Sequence, residues 1–461
     1  MYILLLVLIL VCIIKFPHLF LPHYWDEAWS YSPAVQFMYE NHLSIIPGAL
    51  PSDLSRGHPL LFYFLSAGWM RIFGPSLFSK HTFALCVSLI YLISIYFIVR
   101  KLFSSRAGIM AAIFTACQAL FLAQSSMLLP EILLSLLTLW TLYSYLEKKK
   151  LLFVLSGSLL ILTKETGIIL LIVVAIWDIL SYLIRSNLKS GFRKQLKWTI
   201  LLSIPFLIFV LHLFFQKKVF GWYLFPEHIS MITSFRTGIK ELGSQEYFLQ
   251  FYGQIFLVLT LLAAFMIHLL YGKKIPSRER QALWFIFTFM MTYLFASSFL
   301  LFNPRYLMCI HIMLVILTAF YLDEITKKLF FTPFLGTAAL AGILLYNALT
   351  LRSNGDNNLG YTDALQVQKK AVEYFENNNL YDHSVYCGFL MRKNMTERAA
   401  GFLKERPFTH LVCSPDENPE YLILTSTEPD PYYNKIKYNK SFKIIQRFSQ
   451  NWMWMEIYKR W

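Results

Sequence analysis

The strongest constraint in this 461-residue sequence is its succession of long apolar blocks, at 1–21, 78–99, 107–124, 128–146, 151–163, 167–184, 198–215, 251–271, 282–302, 305–322 and 329–350. A helix of about 20 apolar residues spans the roughly 30 Å hydrocarbon core of a bilayer. Hydropathy therefore predicts a polytopic α-helical membrane protein with about eleven transmembrane helices. Composition agrees. The chain is 56% hydrophobic and 17% aromatic, with a mean hydropathy of +0.49, whereas soluble domains are roughly 45–50% apolar. The first block lacks a basic leader and a small-residue cleavage site, and Lys15-Phe16-Pro17-His18 falls within it. It reads as a retained helix.

The formal net charge of +15 would suggest nucleic acid in a soluble protein. Here the basic residues cluster in short loops, which excludes that reading. Arg100, Lys101 and Arg106 follow the second block; Lys148, Lys149 and Lys150 the fourth; Arg185, Lys189, Arg193, Lys194 and Lys197 the sixth; Lys273, Lys274, Arg278 and Arg280 the eighth; Lys327 and Lys328 the tenth. Positive residues mark the cytoplasmic side. The N-terminus is then cytoplasmic, and 22–77, 125–127, 164–166, 216–250, 303–304 and everything after about 351 face outside. In the first outer loop, 22–77, the segments 28–40 and 59–73 read as interfacial helices, the second with Pro59 in its first turn.

Residues 351–461 read as a small extracytoplasmic α/β domain that follows a transmembrane domain, 1–350. A helix is predicted from Asp363 to Asn378. Strands are predicted at 383–389, 409–415, 420–426, 442–448 and 452–458, with a second helix at 395–404 between the first two. Cys12, Cys86, Cys117 and Cys309 lie in apolar blocks and read as core residues. Cys387 and Cys413 lie in the tail, where an extracytoplasmic location would permit a disulfide, although no spacing pattern requires one.

Charged residues near the outer ends of the helices are the candidates for chemistry. His23-Tyr24-Trp25-Asp26-Glu27-Ala28-Trp29 sets two carboxylates among aromatic residues. Arg56-Gly57-His58-Pro59 leads into the second interfacial helix. Pro130-Glu131 opens the fourth block. Lys164-Glu165 interrupts apolar sequence after the fifth, and Pro304-Arg305-Tyr306 stands at the start of the tenth. Each has a bland reading: a hydrated loop acid, an acid stabilised by a helix N-terminus, a local Lys–Glu pair, a snorkelling arginine. All of them share one side of the membrane. Acids and cations at the outer mouth of a helical bundle suit chemistry on a lipid phosphate, and the arginine fork matches phosphate oxygens.

The order Asp26-Glu27, Gly57-His58-Pro59-Leu60-Leu61 with a following Phe73-Gly74, Pro130-Glu131, Thr163-Lys164-Glu165-Thr166-Gly167, Pro304-Arg305-Tyr306 resembles the GT-C glycosyltransferases. The nearest resemblance is to the family-39-like group of protein O-mannosyltransferases and aminoarabinose lipid A transferases. It extends over most of 20–320. It implies inverting transfer of a sugar from a polyprenyl-phosphate carrier to a lipid, protein or glycan acceptor, at a hydroxyl or phosphate, on the outer face of a bacterial cell membrane. By position, Asp26 and Glu27 match the family's acidic pair and are the catalytic candidates. Asp26 is the base for the acceptor; Glu27 positions the acceptor or raises the basicity of Asp26. The family's His-Pro-Pro is His58-Pro59-Leu60 here, and its second-loop acid, often Asp, is Glu131. Lys164, Arg305 and Tyr306 are the candidates for the donor phosphate, with His58, Arg56 and Glu131 in support. Some members use a divalent metal and others do not; Asp26 and Glu131 are the candidate ligands. The rival readings are a lipid-linked glycan flippase or transporter, an O-antigen ligase or polymerase, and a scaffold for the tail domain. A transporter would carry its charges near the midplane, often with repeat symmetry. A ligase would have its largest outer loop late in the sequence.

Overall fold

The computed structural model describes residues 1–461 except 185–187, 233, 235–236, 239, 241–253, 300–302 and 327–331. Arg185, Lys327 and Lys328 of the basic clusters, and residues 241–250 of the outer stretch, thus lie outside the described residues.

Among the described residues five helices are long and apolar enough to cross a membrane: Tyr2–Phe20, Leu77–Leu102, Trp198–Phe220, Gln254–Tyr271 and Pro304–Thr326. Shorter apolar helices of 10–17 residues include Leu61–Phe73, Ser105–Ala116, Glu131–Leu146 and Lys150–Thr163. Among the described residues, the eleven hydropathy blocks thus do not all appear as membrane-length helices. Block 107–124 breaks at Gln118, whose backbone is extended, between the helices Ser105–Ala116 and Ala119–Gln124. Basic residues 189–197, read as a loop, belong to a 33-residue helix, Leu188–Phe220.

Pro304–Thr326 forms the axis of the bundle. In its apolar window 89% is buried, packed by Ser105–Ala116, Glu131–Leu146, Gln254–Tyr271 and Ser277–Ser297. Only 22% of Tyr2–Phe20 and 17% of Trp198–Phe220 is buried, and Ile3, Leu6, Ile9, Leu10 and Ile13 are exposed. Apolar surface on that scale belongs against lipid. The chain is an integral membrane protein.

The first loop supplies the expected helical pieces, Ser32–Glu40 and Leu61–Phe73. Pro59, however, precedes the second helix, whose cap is Leu60. Ahead of it Arg56 and Gly57 both take positive φ, 49° and 74°. A Cβ on Gly57 would lie 2.8 Å from Cβ of Phe225, so this turn requires glycine.

The C-terminal region folds as a five-stranded sheet in the order β2-β1-β3-β5-β4. Its strands are β1 (Val385–Tyr386), β2 (Leu411–Val412), β3 (Tyr421–Thr425), β4 (Phe442–Gln450) and β5 (Met453–Arg460). All five fall within or overlap the predicted segments. β1 runs parallel to β2 and β3; β5 runs antiparallel to β3 and β4. The first helix of the region is Tyr361–Asn377, and the second is Phe389–Thr396 rather than 395–404. Two contacts set that shift. The Glu428 carboxylate accepts from the backbone N–H of Leu390 and Met391 at the helix start, at 2.9 and 3.3 Å. At the other end the chain leaves the helix at Glu397, whose backbone is extended, with φ −91° and ψ 105°. Cys387 is buried, Cys413 is exposed, and both are free thiols.

This region is tied to the first loop. Ser32 Oγ donates to the Ala399 carbonyl at 2.7 Å, the His23 N–H donates to that of Ala400 at 2.9 Å, and Tyr24 Oη donates to that of Asn354.

Candidate active site

The two adjacent acids diverge because of the backbone before them. Trp25 is left-handed, with φ 46°, and a single π-helical turn follows at Glu27–Tyr31. Such turns insert an extra residue and re-aim side chains. Asp26 faces an open cavity while Glu27 turns into the protein.

The cavity has a volume of about 290 Å³, and its wall includes Asp26, Arg56, His58, Glu131, Lys164 and Tyr306. Arg305 lies directly behind that wall, 1% exposed. Its guanidinium is ion-paired with Asp26 and with Asp356, and its Nε is 3.6 Å from Glu131 Oε1. Lys164 Nζ donates to the same Glu131 oxygen at 3.0 Å and sits 4.1 Å over the Tyr306 ring. Trp29 Nε1 donates to Asp26 at 2.9 Å. Four expected residues, Asp26, Glu131, Lys164 and Arg305, thus form one continuous chain of ion pairs. Burial works to raise the Asp26 carboxyl, but the Arg305 charge and the hydrogen bonds from Arg305 and Trp29 outweigh it and hold it below the usual range. Asp26 is therefore ionised. Glu131 Oε2 and Arg305 Nε have no hydrogen-bond partner among the described residues, which leaves polar capacity for a ligand.

Glu131 is the first residue of the helix Glu131–Leu146, capped by Pro130, as the Pro-Glu pair predicts. Lys164 is extended, with φ −158°, between Lys150–Thr163 and the short turn Glu165–Gly167. It does not pair with its neighbour. Glu165 turns to His58, whose Nδ1 is 3.0 Å from Glu165 Oε2. Arg56 pairs with Glu227 at 3.0 Å and stacks 4.7 Å over the Trp29 ring.

Glu27 departs from expectation. It is 1% exposed. Its Oε1 lies 2.9 Å from His23 Nδ1 and 3.1 Å from His81 Nε2 and accepts from the Leu128 N–H at 2.6 Å. Oε2 accepts from the Tyr24 N–H at 3.2 Å. It holds the first long loop against 125–131 instead of lining the cavity. Asp26 and Glu131 also do not fit a shared divalent ion. Both are held against one guanidinium, which puts fixed positive charge where the cation would sit.

Sequence reasoning missed Asp356 and His228. Asp356 lies in Ser353-Asn354-Gly355-Asp356-Asn357-Asn358, which reads as a polar turn, yet it is 4% exposed against Arg305. Burial pushes its carboxyl up in spite of that arginine. His228 lies on the short helix Pro226–Ser230, where proline followed by an acid and a histidine in an outer loop was the available signal.

The fold has known counterparts. Over 98% of its length the chain superposes on ArnT from Cupriavidus metallidurans bound to undecaprenyl phosphate, covering 97% of that chain, with TM-score 0.59 and 13% identity. This protein has the GT-C fold. The oligosaccharyltransferase of Archaeoglobus fulgidus, in complex with Zn and sulfate, matches over 88% of this chain and 62% of its own, with TM-score 0.55 and 13% identity. The same organism's oligosaccharyltransferase AglB with an inhibitory peptide and a dolichol-phosphate matches with TM-score 0.51 and 12% identity over 91% of this chain and 69% of its own. In sequence, the dolichyl-phosphate-mannose-protein mannosyltransferase family matches residues 57–215. No curated protein matches the chain in sequence.

Proposed function

We propose that this protein is an inverting glycosyltransferase that moves a sugar from a polyprenyl-phosphate carrier to an acceptor hydroxyl or phosphate outside the cytoplasm. One observation carries the reading: a chain of ion pairs from Asp26 through Arg305 and Glu131 to Lys164 on the wall of a cavity in a GT-C fold. The relatives solved with undecaprenyl phosphate or dolichol-phosphate support the carrier class.

A lipid phosphate is a good leaving group, so the chemistry needs a base for the acceptor and positive charge for the departing phosphate. Asp26, ionised and partly open to the cavity, takes the acceptor proton as the new bond to the sugar's anomeric carbon forms. The bond from that carbon to the phosphate oxygen breaks on the opposite face, and the electron pair leaves with the phosphate. A carboxylate held by arginine is a weak base, which suits late proton transfer, when the attacking oxygen has become acidic. Lys164 and Arg305, with Tyr306 beside them, stabilise the charge that develops on the phosphate. In this reading residues 1–350 are the catalytic domain and 351–461 an outer domain that contributes Asp356 behind Arg305.

The test is a membrane transfer assay with a panel of polyprenyl-phosphate sugars, comparing wild type with Asp26→Asn. Loss of an active-site base lowers the rate by about 10²–10⁴. Full transfer by Asp26→Asn removes Asp26 as the base.

A further inference from the structure

The charges around the cavity do not balance for an anionic donor. Asp26, Glu131, Glu165 and Asp356 are acids, set against Lys164 and Arg305. Arg56 is offset by Glu227. Acids outnumber cations, and a lipid phosphate entering the cavity meets net negative charge. On the same wall lie His58, Glu165 and His228, all partly exposed, with one ligand atom from each within 4.8 Å of the others. The His58 and His228 rings are 5.0 Å apart, and His58 Nδ1 already lies 3.0 Å from Glu165 Oε2.

We propose that His58, Glu165 and His228 bind a divalent cation of the zinc class, whose open position faces the donor phosphate. Two imidazoles and one carboxylate with a vacant fourth place are a donor set suited to Zn²⁺. Bonds of about 2.1 Å in a tetrahedron put ligand atoms roughly 3.4 Å apart. The His58–Glu165 pair is near that spacing, and His228 completes it by rotating its side chain on the helix Pro226–Ser230. Cation entry is open from the cavity. The ion restores positive charge opposite Asp26 and joins three separate segments: the 56–58 turn, held by Gln216 Nε2 donating to the Gly57 carbonyl at 2.7 Å, the 164–167 turn, and the 226–230 helix. Its role toward phosphate rests on the transferase reading; its binding does not.

Cobalt(II) reports the site directly, because tetrahedral coordination gives visible absorption bands. The full-length chain, purified in detergent and stripped with EDTA, is titrated with Co²⁺ and then with Zn²⁺. Wild type is expected to develop the bands at one equivalent, to lose them to Zn²⁺, and to melt at higher temperature with metal than with EDTA. His228→Ala and Glu165→Gln are expected to bind at least tenfold more weakly. His228→Cys is expected to keep the bands and add a thiolate-to-cobalt charge-transfer band in the near ultraviolet, a signal that a misfolded variant does not give. Absence of the bands in wild type, or a His228→Cys spectrum identical to wild type, overturns the site. Bands that form normally in a protein inactive toward every polyprenyl-phosphate sugar uphold the site and count against the transferase reading instead.

Discussion

Two carboxylate clusters lie close together at one end of the bundle, and they are built for opposite purposes. Glu27 sits in a dry, saturated knot: two histidines and two backbone N–H groups surround its oxygens. Asp26, one residue earlier, sits on an open wall where Arg305 is shared among carboxylates and Glu131 Oε2 has no hydrogen-bond partner among the described residues. The buried cluster holds its carboxylate away from the cavity and fixes two loops. The open one retains polar capacity and lies where substrate can reach it. Neighbours in sequence with the same chemistry thus differ in role through the backbone turn at Trp25.

The sharpest way to break this comparison is Arg305→Met. It leaves the Asp26, Glu131 and Asp356 charges without their shared partner. Removing one member of a buried ion network costs about 3–5 kcal/mol, so a large drop in melting temperature, together with loss of transfer, is expected. A normal melt would mean that the acids do not depend on Arg305.

Glu27→Gln should separate the clusters. It weakens buried charge-assisted hydrogen bonds at a cost of about 1–3 kcal/mol, so stability falls clearly while transfer falls less than in Asp26→Asn. If Glu27→Gln instead melts like wild type and loses transfer as fully as Asp26→Asn, the division of labour is wrong.

Acid titration sharpens the dry cluster. Burial lowers His23 from 6.5 to about 4, with Glu27 opposing the shift. The unfolded chain takes up a proton near 6.5 that the folded protein refuses until about 4. Stability should therefore fall as pH drops through that window, by at most about 1.4 kcal/mol per pH unit from this group. It should be insensitive to His23 above it. A melting series from pH 8 to 4, with His23→Gln as reference, should show the two curves converging at low pH. Parallel curves would contradict a neutral His23.

Asp356→Asn should give the smallest effect. Burial raises this carboxyl against the pull of Arg305, and Asp26 and Glu131 still hold the guanidinium when it is replaced. A change in KM of less than about tenfold is expected, corresponding to less than about 1.4 kcal/mol. A loss as large as that of Asp26→Asn would place Asp356 in the chemistry itself.

The sequence carried much of this site because its signals are local. Pro130-Glu131 is a helix start, Asp26 follows an apolar helix, and the apolar runs at 420–426 and 452–458 are strands. It misplaced the helix at 395–404 because Glu428, distant in sequence, caps the true helix at Phe389–Thr396. It paired neither Glu165 with His58 nor Arg305 with Asp356, since both partnerships cross between loops that no local pattern links.

By itself, then, the sequence determined a membrane-embedded helical bundle, a tail with a sheet, and acids and cations collected at helix ends. Hydropathy and periodicity are properties of short stretches, and they survive without knowledge of the neighbours. Only the tertiary structure decided which carboxylate faces the cavity, that Arg305 is shared among Asp26, Glu131 and Asp356, and that His58, Glu165 and His228 meet. Those outcomes depend on side-chain direction and on desolvation, and both are set by residues far away in the chain.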